Sequence, residues 1–155
     1  GRLHRTVQTG KLLVKIFPLK LNRDVRLNDM NYGRWQGKFP EEIETRFPEE
    51  HSLWKNEPQK LHILEGEPLS EVQNRVHSFL ESLYSNELFD HHYIIVTHDI
   101  IIRIILTLVD GKKLRNIWDY TLAPASISQV CIYPDKKIIE INNVEHLKRK
   151  ELAKC

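Results

Sequence analysis

The stretch Tyr93-Ile94-Ile95-Val96-Thr97-His98-Asp99, running into an apolar run from Ile100 to Val109 whose one charge is Arg103, decides how this chain is read. The residues before Thr97 are few, apolar and partly β-branched, the pattern of a strand buried on both faces of a parallel sheet. The run after Asp99 is long enough for about three helical turns. His98 therefore sits where a strand gives way to a helix. Side chains at the carboxyl ends of such strands line ligand crevices. The helix that follows turns unpaired N–H groups and a partial positive charge toward the same point, which suits an anion such as phosphate. On this segment alone a second reading stands level with the first: His98 and Asp99 cap a buried helix, and His98 finds a backbone partner.

Outward from this segment, helical and strand-like patterns alternate without repeats or low-complexity linkers. Leu3 to about Val14 predicts a modest helix, followed by an extended piece through Phe17 and Pro18. Val25 to Leu27 predicts a short strand leading into a loop from Asp29 to Gly37, where Gly33 and Gly37 permit turns that other residues resist. Pro40-Glu41-Glu42-Ile43 marks a helix start, with proline in the first turn and carboxylates at the positive end. Leu69, Val72, Val76, Phe79, Leu80 and Leu83 recur at helical spacing, and Ser70 with Glu71 suits the start of that helix, whose stripe is expected to pack on the sheet. Ile127 to Tyr133 and Lys137 to Ile141 are β-rich and separated by Pro134-Asp135-Lys136, the pattern of an edge hairpin. The alternation predicts an α/β sandwich with a mostly parallel sheet. Residues 1–147 are expected to form one domain and residues 148–155 a polar tail.

Composition narrows the function classes. With 155 residues, 41% hydrophobic and 28% charged, the chain can bury a real core as a single globular domain. The net charge of +2 comes from scattered residues without the concentrated basic face of a nucleic-acid binder. Two cysteines, Cys131 and Cys155, are too few for a disulfide framework, so a reducing, cytoplasmic setting is the default. The longest apolar run falls far short of the roughly 20 residues of a membrane span, and no membrane association is expected. His91, His92, His98 and Asp99 lie close together, but their spacing fits no zinc signature; a solvated turn accounts for His91 and His92.

Five segments now stand in order: Leu3-His4-Arg5-Thr6-Val7-Gln8-Thr9; Leu27-Asn28-Asp29-Met30-Asn31-Tyr32-Gly33-Arg34-Trp35-Gln36-Gly37; Gly66-Glu67-Pro68; His98 with Arg103; and Ala125-Ser126-Ile127. This set resembles the histidine phosphatase (phosphoglycerate mutase-like) superfamily, from residue 2 to about His146. The resemblance implies a three-layer α/β/α Rossmann-like sandwich, mostly parallel with an antiparallel edge. It also implies a first strand ending in Arg-His-Gly, whose histidine attacks phosphorus and carries the phosphoryl group. No Arg-His-Gly occurs in these 155 residues, and Met30 is the only methionine. The expectation is that the strand and the nucleophile belong to residues absent here, a natural fragment or pseudoenzyme being the alternative, and that residues 1–155 alone hydrolyse nothing measurable. A sheet lacking a central strand exposes backbone groups and apolar surface, so such a chain is expected to be unstable or paired, a homodimer being one such pairing.

Phosphoryl transfer spreads negative charge over three oxygens and needs convergent cations and N–H donors. By the resemblance, Arg5 is the phosphate-binding arginine, its planar fork suited to two oxygens; taken alone it reads as an exposed helix arginine. His98 matches the second active-site histidine, which donates to the phosphoryl oxygens and which a phosphate neighbour keeps charged. Asp29 stands where the family usually carries a glutamate, acting as acid toward the leaving oxygen and then as base toward water. Aspartate is one methylene shorter, which draws the carboxyl back by about 1.5 Å; the plainer reading of Asp29 is a loop cap. Tyr32 lines the substrate pocket or packs as an aromatic. Asp99 replaces a glycine common after this histidine and reads as a helix cap with substrate contact. Ser126 stands beside the phosphate site or serves as an ordinary strand-start serine. Arg103 reads as structural and in need of a buried partner. Arginine and histidine supply the charge that magnesium supplies elsewhere, so neither metal nor cofactor is implied.

The implied function is a phosphomonoester hydrolase of small phosphorylated metabolites, working through a phosphohistidine. Phosphoglycerate mutase-type transfer and a non-catalytic phospholigand-binding module are the alternatives. Asp99-Ile100-Ile101 after the histidine and a compact middle favour the phosphatase over the mutases, which carry Gly-Asn-Ser there.

Overall fold

A computed structural model describes residues 4–84, 92–132 and 134–148. In chain order these form helices α1 (His4–Ile16), α2 (Pro40–Arg46), α3 (Pro48–Asn56), α4 (Leu69–Tyr84) and α5 (Asp99–Val109), then strands β1 (Ile127–Cys131) and β2 (Lys137–Asn143). Short 3-10 helices lie at Val25–Leu27, Gly33–Trp35, Pro58–Lys60, Leu114–Asp119 and Glu145–Leu147. Leu3, His91, Tyr133 and Cys155, each part of a sequence expectation, lie outside the described residues, as do residues 149–155 of the polar tail.

The apolar run after His98 folds as its length and composition demand. Ile100, Ile101, Ile104 and Leu106 of α5 are at most 1% exposed, so the helix is enclosed on nearly every side. Burying such side chains stabilises the fold by about 1.5–3 kcal/mol each. Leu69, Val72, Val76 and Leu80 of α4 are buried as the helical spacing predicts. Their stripe packs on α5 and on the turn at Val25–Leu27, not on a sheet as expected. The hairpin instead touches α5.

The expected strand at Val25–Leu27 is a helical turn. The Asp24 side chain accepts from Arg26 N at 2.8 Å and pairs with its guanidinium, so a local side-chain partner outcompetes the ladder that β-branching favours. The edge hairpin forms, antiparallel, pairing Ile127 with Asn143 and Val130 with Ile138, with irregularities either side of Gln129. The parallel sheet is not formed among the described residues, whose single sheet is β1–β2. Tyr93 and Ile94 remain 46% and 57% exposed. An apolar run is fit for burial on two faces, but only neighbouring strands can bury it.

The loop from Asp29 to Gly37 is docked onto residues 64–67 by short-range chemistry. Gly33 adopts φ +47, and a Cβ there would lie 2.1 Å from Leu64 O and 2.4 Å from Gly66 N, so backbone meets backbone where only glycine fits. Arg34 N donates to Leu64 O at 3.0 Å, Glu67 N to Asn31 O at 2.8 Å, and Asn31 Nδ2 to Glu65 O at 3.0 Å. The loop is thereby fixed as a wall, with Met30 and Trp35 each 4% exposed behind it.

Candidate active site

Three side chains from distant parts of the chain meet at one point. Arg5, in the first turn of α1, directs Nη2 to Asp29 Oδ2 at 2.7 Å and to His98 Nδ1 at 2.8 Å; His98 Nδ1 and Asp29 Oδ2 are 3.5 Å apart. His98 sits at the N-cap of α5, but its side chain makes no capping bond. The reading in which it and Asp99 merely cap the helix does not hold for either: Asp99 is the first helical residue, and its carboxylate pairs with Arg103 Nε at 2.7 Å. Arg103 also donates to the carbonyls of Ile117 and Tyr120 and lies over the Trp118 ring, the buried bracing its position demanded.

Exposure is graded across the cluster. The Arg5 side chain is 66% exposed, Asp29 21% and His98 4%. The guanidinium thus reaches in from solvent over a buried imidazole. Because Arg5 donates to Nδ1, the neutral imidazole carries its proton on Nε2, which among the described residues is buried without a hydrogen-bond partner. Burial pushes the His98 imidazole below its ordinary value of 6.5; the Asp29 carboxylate pulls it back up, and Arg5 pushes it further down. His98 is therefore neutral at pH 7 in the free site. A dianion replacing the carboxylate at Arg5 would favour the charged form and draw a proton onto Nδ1.

Sulfate, which stays dianionic from pH 5 to 8, reads this coupling. Its affinity is expected to rise as pH falls from 8 toward 6, by up to about tenfold per unit, because bound sulfate raises the His98 pKa. In His98→Asn the slope should flatten. A slope unchanged by that substitution would place the proton elsewhere.

Behind the cluster stands a residue that the sequence reading missed. Arg75, on α4, donates Nη1 to the carbonyls of Arg26 at 2.6 Å and Asn28 at 2.8 Å, and Nη2 to that of Asp29 at 3.2 Å. Glu67 holds it in place through Nε at 2.7 Å and Nη2 at 3.0 Å. Gly66-Glu67-Pro68 is thus the anchor of the arginine that shapes the backbone carrying Asp29. The available signal was a charged residue, Arg75, immediately beside the buried stripe position Val76. Thr97 Oγ1 donates to Leu27 O at 2.8 Å, tying the segment before His98 to the same turn.

Arg5, Asp29, Tyr32 and Asp99 line one cavity of about 1100 Å³. Burial first, then the Asp29 and Asp99 carboxylates, push the Tyr32 phenol well above its usual range, so it faces the cavity as a protonated donor. Ser126 is not among the lining residues; it follows Ala125, held at φ +59, and its N–H donates to Ala123 O at 3.1 Å. Among the described residues no three His, Cys, Asp or Glu side chains converge as metal ligands, and no helix is long and apolar enough to cross a membrane.

Comparison with known proteins places the chain in a fold and a family. The chain is 27% identical over 146 residues to phosphoserine phosphatase 1 of Hydrogenobacter thermophilus, covering 94% of this chain and 69% of the relative. Its fold matches that of YhfR from Bacillus stearothermophilus with a TM-score of 0.85 at 19% identity, over 96% of this chain and 74% of the other. A mycobacterial glucosyl-3-phosphoglycerate phosphatase in complex with VO3 matches with a TM-score of 0.79 at 20% identity, over 91% and 72%. At those identities the two structures speak to the α/β fold alone. The sequence profile of the histidine phosphatase superfamily (branch 1) matches residues 1–145, and this chain belongs to that family of enzymes.

Proposed function

We propose that the protein is a phosphomonoester hydrolase of small phosphorylated metabolites, acting through a phosphohistidine and without a metal. Family membership and the phosphatase names of its relatives support phosphatase activity. The observation that carries the reading is the convergence of Arg5, Asp29 and His98 on one point, with Arg5 and Asp29 in the cavity lining and His98 behind them, not among the lining residues. In the free site the Asp29 carboxylate satisfies Arg5; a phosphoryl group taking that position gains the guanidinium and, on proton uptake, the imidazolium. Asp29 is then displaced toward the leaving oxygen, where its carboxyl can donate a proton and later accept one from water.

We assign the attacking histidine to residues beyond these 155, since His98 Nδ1 is engaged by Arg5 and no other histidine among the described residues joins the cluster. In the first step its ring nitrogen bonds to phosphorus, the ester P–O bond breaks and the leaving oxygen takes a proton from Asp29, which picks that proton up from solvent once the incoming phosphoryl group has displaced it from Arg5. In the second, water gives a proton to Asp29, its oxygen bonds to phosphorus, and the N–P bond breaks to release phosphate. The strand carrying that histidine would complete a three-layer sandwich and cover the exposed face of residues 93–96.

The test is hydrolysis of p-nitrophenyl phosphate by the complete gene product with no added metal. Expected are turnover and an acid-labile, alkali-stable phosphoprotein on brief mixing. Binding of phosphate without turnover supports the non-catalytic alternative, and a complete reading frame without Arg-His-Gly overturns the enzyme reading.

A further inference from the structure

The cavity that holds the phosphate site carries a charge and ring pattern that says more about the ester. Its lining includes two acidic residues, Asp29 and Asp99, and both are engaged, by Arg5 and Arg103 respectively. It also includes two lysines, Lys38 and Lys55, whose side chains make no hydrogen bond or ion pair with any described residue. Lys38 is half-buried just past the turn at Gly37, and Lys55 is exposed on α3. Among the described residues no lining carboxylate is therefore spare for a substrate ammonium, while two lysines are spare for a second anion.

Between these groups the wall is aromatic. Trp54 meets Tyr32 and Trp35 edge-on, each at 6.1 Å between ring centres, and Trp118 at 4.9 Å. All four rings line the cavity. The Trp118 Nε1 donates to Trp54 O at 2.7 Å, which fixes two of the rings to each other. Rings locked at right angles cannot collapse onto one another, so they offer apolar edges and faces to a flat ligand at little entropic cost.

We propose that the preferred substrate is a phosphate monoester of a ring-bearing alcohol that carries a second negative charge, its ring against Trp54 and Trp118 and its second anion at Lys38 and Lys55. Phosphoserine is disfavoured: its carboxylate suits Lys38 and Lys55, but it has no ring to lie against Trp54 and Trp118, and its ammonium finds both lining carboxylates already paired. This rests on the phosphatase reading above and sharpens it.

The test compares three esters on the complete gene product: 4-(carboxymethyl)phenyl phosphate, its neutral 4-(carbamoylmethyl)phenyl isostere, and phosphoserine. The carboxylate ester is expected to exceed the isostere in kcat/KM by about tenfold, the worth of a charge-assisted contact, and phosphoserine by more. In Lys38→Ala/Lys55→Ala the ratio of the two aryl esters should fall to near one, and in Lys38→Glu/Lys55→Glu it should invert. Trp54→Leu should lower both aryl esters relative to phosphoserine. Hydrolysis of all three esters with no carboxylate preference, or a preference untouched by the lysine substitutions, overturns the inference while leaving the phosphatase reading intact. Hydrolysis of none overturns the phosphatase reading itself.

Discussion

Replacing His98 with alanine is expected to lower kcat/KM for phosphate-ester hydrolysis by about 10²–10³-fold, with Arg5→Ala comparable. On the proposed mechanism both donors serve the same developing charge. Arg5→Lys should recover little, since a compact ammonium is a point charge and lacks the planar guanidinium fork that suits two phosphoryl oxygens at once. The double variant should lose less than the product of the single losses, because the two side chains are in contact and act on one group. His98 is buried, so His98→Asn, which keeps volume and polarity, separates loss of chemistry from loss of fold; far-ultraviolet dichroism and urea unfolding provide the control. A kcat/KM within threefold of the native protein in either alanine variant would remove these residues from the phosphate site.

The second large effect is expected from a residue that touches no substrate. Arg75→Met should destabilise the fold by about 3 kcal/mol, read as a shift of the urea midpoint, because it leaves Glu67 without its partner and three carbonyls around Asp29 without their donor. The Arg75 and Glu67 side chains are each 20% exposed, which keeps the penalty below that of a fully dry pair. Adding Glu67→Leu should restore part of the stability, since a lone carboxylate costs more than an apolar pair. It should not restore turnover, because Asp29 would still hang on an unbraced backbone. Recovery of full activity in the double variant would show that Arg75 is a folding device only. A positioning role predicts that kcat falls more than KM rises, and that Asp29→Asn in the Arg75→Met background costs little further.

The sequence was legible where a pattern repeats locally. The stripe Leu69, Val72, Val76 and Leu80 and the run from Ile100 to Val109 specify their helices, because burial acts on every turn and the period betrays it. Pro40 with Glu41 and Glu42 announced α2 for the same local reason. Local competition misled the reading at Val25–Leu27, where one aspartate side chain outweighs two β-formers. Arg75 escaped because its partners, Glu67 and the backbone at Arg26, Asn28 and Asp29, are set by tertiary docking; a charged residue flanking a buried stripe looks the same whether it faces water or a ring of carbonyls. Asp99 read as a cap because it opens a helix, yet Arg103 one turn on gives it a stronger, ionic partner.

By itself the sequence determined which residues are able to bind a phosphoryl group, because guanidinium, imidazole and carboxylate carry that chemistry wherever they stand, and it determined the two helices that build the core. Tertiary structure alone decided that Arg5, Asp29 and His98 share one point, that Ser126 does not line the cavity, and that four rings and two lysines without a side-chain partner among the described residues complete the wall. Residues 24 and 93 positions apart in sequence meet only when α1, the Asp29 loop and the start of α5 dock. Periodicity reports burial along one element, whereas convergence depends on how elements cross, and that is set by packing summed over the whole core.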